Sequence, residues 1–152
     1  MSLKDFPIAE ILINAFCHAT EDLEKVRKAM LNFIPELYRS RIVISEDVLE
    51  GYYGNRILNL KIHISDVEIV KNIIDFICRN IHEADKKLIS RSFLSRLDSS
   101  GNLYLRFDKG AAYNGLLRLH DGSDVVRVVI KFKVAKKLIK DFCVDIGLIM
   151  GV

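Results

Sequence analysis

The sequence has few cysteines and no long apolar run, and each shortage excludes a class of protein. Its three cysteines, Cys17, Cys78 and Cys143, are odd in number, lie far apart and form no CxxC pair. This argues against both a disulfide framework and a zinc half-site. No stretch of about 18 uncharged apolar residues occurs, which argues against a membrane-spanning helix or a signal peptide. We therefore predict a soluble protein of a reducing compartment, the cytoplasm, with no membrane partner.

Motifs of nucleotide and acyl chemistry are also missing. The glycines form neither GxGxxG nor a phosphate-binding loop, and no serine stands in a GxSxG setting. Cys17 and His18 are neighbours on a predicted strand, so they point to opposite faces and do not form a nucleophile–base pair. His63, His82 and His120 share no ligand spacing with one another or with the cysteines. The sequence predicts no catalytic residue, no metal and no cofactor, and hence no enzyme.

What is present is the composition of one folded domain. The chain has 152 residues, of which 50% are hydrophobic and 28% charged, with a formal net charge of +3. This is enough apolar material for a single core, and it is too balanced in charge for disorder. No repeat, linker or low-complexity segment interrupts residues 1–152. The mild positive charge permits a polyanionic partner without requiring one.

Strand-like and helical patterns are mixed along the chain, which predicts an α+β fold with a mainly antiparallel sheet covered on one face by helices. Period-two alternation and β-rich runs predict strands at residues 8–18, 42–49, 57–65, 103–107, 116–119 and 125–134. Helical spacing predicts helices at residues 20–35 with Thr20 as the cap, 67–81 with Asp66 as the cap, 84–97, 108–114 and 135–149. Residues 51–55 are expected to form a hairpin loop, and the last helix to bury Leu138, Phe142, Ile146 and Ile149.

Alternation along three of the strands assigns each side chain to one face of the sheet. Val126, Val128, Ile130 and Phe132 share one side of their strand, and apolar residues of the 57–65 and 103–107 strands do the same. If these strands share a sheet, its open side presents one aromatic and six basic or titratable side chains: Tyr104, Lys61, His63, Arg106, Arg127, Lys131 and Lys133.

Such a surface supplies cations for phosphates and a ring on which an unpaired base can stack, the two recurring needs of RNA recognition on sheets. A half-exposed antiparallel sheet also has a polar outer face for ordinary reasons. Lysine and arginine there serve as solvated or edge-protecting residues. The pattern of faces alone leaves both interpretations open.

Three segments together resemble the archaeal exosome-associated RNA-binding family, a predicted exosome subunit. They are His18-Ala-Thr-Glu-Asp22, Glu50-Gly-Tyr-Tyr-Gly-Asn55, and Tyr104-Leu-Arg-Phe-Asp-Lys109 with Ala112-Tyr-Asn-Gly-Leu-Leu-Arg-Leu119. The resemblance implies a fold similar to the 5S-RNA-carrying ribosomal protein, a non-catalytic accessory role with RNA and exosome subunits as partners, and RNA contacts by Lys109 and Arg118. This chain departs from the family pattern at Tyr52, Arg56 and Gly110.

A second hypothesis is a protein-interaction or dimerisation module without direct RNA contact. In that interpretation Tyr53, Asn55, Asp108 and Tyr113 organise loops for a partner. The apolar end, residues 146–152, packs in a homodimer or against another subunit.

Overall fold

A computed structural model describes residues 3–50 and 54–151. Within these ranges a short 3₁₀ turn at Leu3–Asp5 is followed by five strands and seven α-helices. The strands are β1 Ile8–His18, β2 Ser45–Glu50, β3 Arg56–Ile64, β4 Asn102–Asp108 and β5 Val125–Phe132. The helices are α1 Leu23–Leu31, α2 Glu36–Arg39, α3 Val67–Asn80, α4 Glu83–Arg91, α5 Phe93–Arg96, α6 Lys109–Tyr113 and α7 Lys136–Asp145.

The five strands form one sheet in the order β2-β3-β1-β5-β4, and every neighbouring pair is antiparallel. The first strand lies at the centre, where it pairs with β3 on one side and β5 on the other. The predicted α+β class, with an antiparallel sheet and helices on one face, is confirmed.

The core lies between the sheet and its helices. On β1, Ile11, Ile13 and Ala15 are buried, as their alternation predicts, while α3 turns Ile73 and Ile77 toward them. The predicted cap of α3 is present, because the Ile69 amide donates to the Asp66 carboxylate at 3.2 Å. No helix within the described ranges is long and apolar enough to cross a membrane.

Two predictions about local structure are wrong. Asp22, not Thr20, caps α1, since its carboxylate accepts from the Glu24 amide at 2.9 Å. Residues 116–119 are not a strand, because Leu117 and Leu119 each make only an isolated bridge, to Ile81 and Phe107. The segment lies beside β4 as an irregular loop and does not form a sixth strand.

Of the residues predicted to share one side of the last helix, Phe142, Ile146 and Ile149 pack against the core and Leu138 does not. Ile139 and Cys143 are fully buried, while Leu138 is 52% exposed. The helix ends at Asp145, so Ile149 does not lie on it. The second strand also begins at Ser45, three residues later than residue 42, and all its residues are exposed.

The apolar end of the chain packs on its own fold. Leu148 and Ile149 are 1% and 3% exposed, and the Met150 amide donates to the Ser90 hydroxyl. Leu148 and Ile149 therefore belong to the core of this chain, and packing of the segment in a homodimer stays a prediction. Of the loop residues in the interaction hypothesis, Asn55 is exposed, and Asp108 and Tyr113 make contacts within the chain. Tyr53, like Gly51 and Tyr52, lies outside the described residues.

Candidate nucleic-acid interface

The sheet has one buried and one open face. On β3, β4 and β5 the apolar residues of one parity are buried, including Leu60, Leu105 and Val128. The residues of the other parity are half-buried or exposed on all three strands, apart from Val125. The central strand adds Leu12, Asn14 and Phe16 to this open face.

Cross-strand register brings three of the predicted cations into one row. Arg106 pairs with Arg127, Arg127 pairs with Asn14, and Asn14 pairs with Lys61. Neighbouring strands lie about 4.8 Å apart, so the row sets cations at steps of roughly 5 and 10 Å across the sheet. This spacing forms a line of positive charge perpendicular to the strands.

The adjacent row supplies flat, mostly apolar surface. Its members, in order across the sheet, are His63, Leu12, Val129 and Tyr104. Beyond it, Lys131 pairs with Glu10 and Asn102, and Lys133 is exposed just after the end of β5. The six predicted side chains that lie on β3, β4 and β5 therefore share one face, with the cationic row beside the apolar one.

Carboxylates compensate only one part of this face. Lys61 meets Asp47 at 2.8 Å, while Glu10 meets His63 at 3.0 Å and Lys131 at 3.7 Å. These pairs are largely exposed, and exposed pairs of this kind contribute about 0–1 kcal/mol and exchange readily with other ions.

The arginines on the β4 side remain uncompensated. Neither Arg106 nor Arg127 forms an ion pair within the described part of the chain, and Arg106 donates to the Gly122 carbonyl. Positive charge is therefore most available at β4 and β5.

Tyr104 is held in position by the turn before its strand. Its hydroxyl donates to the Asp98 carboxylate at 3.0 Å, and that carboxylate also accepts from the Asn102 amide at 2.8 Å. These bonds lower the pKa of Asp98, the Asn102 amide contributing most, and the bond to Asp98 raises the pKa of Tyr104. The ring is thereby fixed at the border of the open face.

A groove of about 850 Å³ continues the open face past the edge strand. Its floor includes Tyr104 and Arg106, one wall is formed by α4 and α5, and the other by residues 119–122. The buried Asp85 carboxylate joins the two walls, accepting from the Leu119 amide at 3.1 Å and from Arg118 at 3.2 Å.

Lys109 and Arg118 do not lie on the open face. Lys109 is only 6% exposed, and its ammonium donates to the Phe16 carbonyl at 2.8 Å and pairs with Glu21 at 3.1 Å and Asp124 at 2.7 Å. Arg118 is half-exposed and is held by Asp85. The buried Lys109 ammonium therefore holds the fold together, whereas Arg118 keeps about half of its side chain in solvent.

Two of the three segments that carry the family resemblance, the first and the third, meet in this ionic cluster. Glu21 from the first segment contacts Lys109 from the third, and Asp108 caps α6 by accepting from the Ala111 amide at 2.7 Å. The Tyr113 ring lies under the Lys28 ammonium, 4.5 Å from its centroid. These contacts hold α6 against α1. They explain the residues of the first and third segments by their role in the fold.

The Cys17 thiol donates to the backbone carbonyls of His18 and Glu21, at 3.7 and 3.9 Å. The Cys17 thiol is buried, and burial raises its pKa, with the nearby Glu21 carboxylate adding to the effect. Within the described ranges no group of three or more His, Cys, Asp or Glu side chains is placed to hold a metal ion.

Sequence reasoning missed the groove. Arg91, Arg96 and His120 line it, yet each stands in a segment where a solvated polar residue is ordinary. The packing of α4 and α5 beside β4 brings Arg91 and Arg96 to Tyr104 and Arg106, and a bond from the His120 amide to the Arg106 carbonyl places His120 there. Alternation locates the residues of a sheet face, but nothing comparable in the sequence places a helix beside a sheet edge.

These features define a class of α+β protein in which helices cover one face of an antiparallel sheet and cationic side chains occupy the other. A family model described as RNA binding matches residues 10–132. The chain belongs to this RNA-binding family.

Curated relatives are similar to the chain in sequence, and solved structures are similar to it in fold. The chain is 35% identical over 124 residues to an RNA-binding protein of Pyrococcus abyssi, covering 81% of this chain and 80% of that protein. It is 37% identical over 131 residues to an uncharacterized protein of Methanocaldococcus jannaschii, covering 82% and 84%. A Sulfolobus solfataricus protein of the DUF54 family has a similar fold, with 27% identity, a TM-score of 0.74 and coverage of 91% and 97%. A DUF54 protein of Methanothermobacter thermautotrophicus also has a similar fold, with 24% identity and a TM-score of 0.77. The match covers 93% of this chain and 98% of that protein.

Proposed function

We propose that this protein is a non-catalytic RNA-binding protein whose open sheet face contacts the RNA backbone. The observation that carries the proposal is the row formed by Arg106, Arg127 and Lys61, in which the two arginines have no carboxylate partner among the described residues. Phosphate contacts dominate the affinity of nucleic-acid-binding proteins, and a row of cations on an open face supplies them. Membership of the RNA-binding family and the Pyrococcus abyssi relative support the same function.

The polar character of the face also has a purely structural explanation, and the two are distinguished by electrostatics. A solvated face with matched carboxylates attracts polyanions weakly, whereas a phosphate-binding face releases counterions from the RNA when it binds. The salt dependence of RNA affinity therefore separates the two interpretations.

The test is a triple variant with Arg127, Lys131 and Lys133 each changed to Gln. Each lost phosphate contact removes about 0.7 to 0.9 from the slope of log affinity against log salt, so we expect the slope to flatten by about 2. The measurement is fluorescence anisotropy of labelled RNA over a salt series, with circular dichroism to verify folding. Affinity should fall to a similar degree for RNAs of unrelated sequence.

A matched control removes three cations from the helical side of the molecule. Lys71 and Arg79 lie on exposed positions of α3, and Lys87 lies on an exposed position of α4, so all three are changed to Gln. This variant should keep the wild-type slope to within about 0.5, because it loses general charge without losing phosphate contacts. Equal slopes for the two triple variants would exclude the open face as the RNA site.

The sequence resemblance adds two finer expectations, a fold like that of the 5S-RNA-carrying ribosomal protein and association with exosome subunits. For the second, capture of the full-length protein from an archaeal lysate, with and without ribonuclease, distinguishes the two kinds of partner. Exosome subunits retained after ribonuclease treatment would support direct protein association, and subunits lost with the RNA would point to RNA as the bridge.

A further inference from the structure

We infer that the groove beside β4 binds an unpaired segment of RNA, extending the phosphate track of the open face. This inference rests on the proposed function, because it names the form of RNA that the site takes. The observation that supports it is geometric: Arg106 and Tyr104 belong both to the open face and to the groove floor. An RNA strand that follows the row from Lys61 through Arg127 to Arg106 therefore reaches the groove.

The charges of the groove favour phosphate. Arg91, Arg96 and Arg106 line it together with His120, and Asp121 is the single carboxylate among the described lining residues. Arg96 is oriented by the Ser92 hydroxyl, which it contacts at 2.7 Å, and Arg106 by the Gly122 carbonyl. The Ser92 hydroxyl and the Gly122 carbonyl are neutral, so they orient the two guanidinium groups without cancelling their charge. Arginines held in this way form strong, geometrically specific bonds to phosphate.

The shape of the groove favours an unpaired strand. A volume of about 850 Å³ lies within the range of small-ligand sites, about 300–1,000 Å³, so it accommodates roughly one or two nucleotides and not a duplex. The Tyr104 ring, fixed by Asp98, offers a stacking surface that the already stacked bases of a duplex do not use. Base–aromatic stacking tolerates any sequence, which predicts preference for single-stranded RNA without preference for a base.

The walls are built to persist without a ligand. Asp85 ties the start of α4 to the 119–122 wall through the Leu119 amide, and the His120 ring packs directly against Gly122. A side chain at position 122 would require the His120 ring to move away from this wall. A preformed groove keeps the ordering cost of binding low.

The experiment compares two probes and two double variants. The first probe is a fluorescein-labelled oligouridylate of about twelve nucleotides, a length within the range that single-strand-binding domains bind. The second probe is an RNA duplex of the same length. The variants are R91Q/R96Q and the control K71Q/R79Q, which also loses two exposed cations but from α3. Circular dichroism and thermal unfolding establish that both variants are folded.

We expect R91Q/R96Q to weaken oligouridylate binding by about tenfold and to reduce its salt slope by about 1.4, since each single-strand phosphate contact contributes about 0.7. Duplex binding should change less than about twofold, as should both affinities of K71Q/R79Q. If R91Q/R96Q fails to fold, the single variant R91Q serves instead, with about half the change in slope.

Stacking is tested separately with Tyr104→Phe and Tyr104→Ala. Phenylalanine keeps the ring and loses only the bond to Asp98, so quenching of a 2-aminopurine in the oligouridylate should persist in Tyr104→Phe and be lost in Tyr104→Ala. The alanine variant should also bind the oligouridylate about tenfold more weakly, as base-stacking residues do.

The remaining outcomes distinguish this inference from the function on which it rests. Oligouridylate affinities that are equal for R91Q/R96Q and K71Q/R79Q would overturn the groove and leave the open face intact. Equal losses for oligouridylate and duplex would overturn the preference for an unpaired strand. Equal binding of an oligoaspartate peptide would identify a general anion groove instead, and wild-type protein that binds neither RNA would overturn both proposals.

Discussion

Lys109 shows how one residue acquires its role from distant parts of the chain. The sequence places it in a basic, aromatic segment, where an RNA contact is the natural expectation. In the structure its ammonium is enclosed by Phe16, Glu21 and Asp124, and Glu21 lies 88 positions earlier in the chain. A buried cation needs such partners, because an unpaired charge away from water is strongly destabilising.

We predict that Lys109→Met destabilises the protein by about 2–3 kcal/mol while leaving RNA affinity within about twofold. Removing one partner of a buried pair costs about 3–5 kcal/mol, and the partial exposure of Glu21 and Asp124 lowers that figure. Urea denaturation measures the first quantity, and anisotropy at a temperature well below unfolding measures the second. Lys133→Met, at an exposed position, serves as the control and should change stability by less than about 0.5 kcal/mol.

The opposite pattern would restore the interpretation from sequence. A Lys109→Met variant of ordinary stability that has lost most of its RNA affinity would make Lys109 a phosphate contact, and the ionic cluster would then be incidental to the fold.

Among the elements, α7 shows the limit of pattern reading most clearly. The sequence predicts a helix over residues 135–149 and hence a stripe through Leu138, Phe142, Ile146 and Ile149. The structure ends the helix at Asp145, because Gly147 has φ of +81° and its amide and that of Leu148 bond back to Val144 and Cys143. This is a Schellman motif, for which glycine is the usual residue.

The side that α7 buries provides a second prediction. Ile139→Ala should cost about 2–5 kcal/mol as a cavity substitution in the core, and Leu138→Ala should cost less than about 1 kcal/mol. Both changes remove apolar atoms from the same turn of the helix, so each is the control for the other. Equal losses in urea denaturation would mean that Leu138 packs as the sequence pattern suggested.

The sheet was more predictable than the helices that cover it. Alternation assigns faces without knowledge of the partner strands, so the sequence alone predicts that Lys61, Arg127 and Tyr104 share one side of the sheet. The order itself, and the position of β1 between Lys61 and Arg127, depend on pairings distant in sequence. The groove depends on a still later step, the docking of α4 and α5 beside β4, and so had no local signal.

Across the whole molecule, the three thiols report on the integrity of the fold. Cys17, Cys78 and Cys143 belong to β1, α3 and α7, and all are buried. Burial raises the pKa of Cys78 and of Cys143 to about 12, which leaves almost no thiolate at neutral pH.

We predict that a thiol reagent such as Ellman's reagent leaves the native protein essentially unmodified at pH 7.5 and modifies all three cysteines in denaturant. Because the raised pKa values lie far above 7.5, protection comes both from inaccessibility and from the absence of thiolate. The rate in dilute denaturant should follow the population of the unfolded state measured by circular dichroism. Fast modification of one cysteine in native buffer would show that its element opens separately from the rest.

The central position of β1 has a consequence for how the chain is made. Strand β1 is synthesised first, yet its partner β5 begins only at Val125. During translation the growing chain must therefore carry an apolar strand with one unpaired edge until nearly all of the remaining sequence has emerged. Closure of the sheet pairs two strands that are distant in sequence, so we expect slow, all-or-none folding governed by this late pairing. A nascent chain that stalls before β5 exposes the unpaired edge of β1, which can pair with other chains and aggregate. Slow translation should therefore lower the yield of folded protein more than a small loss of stability does.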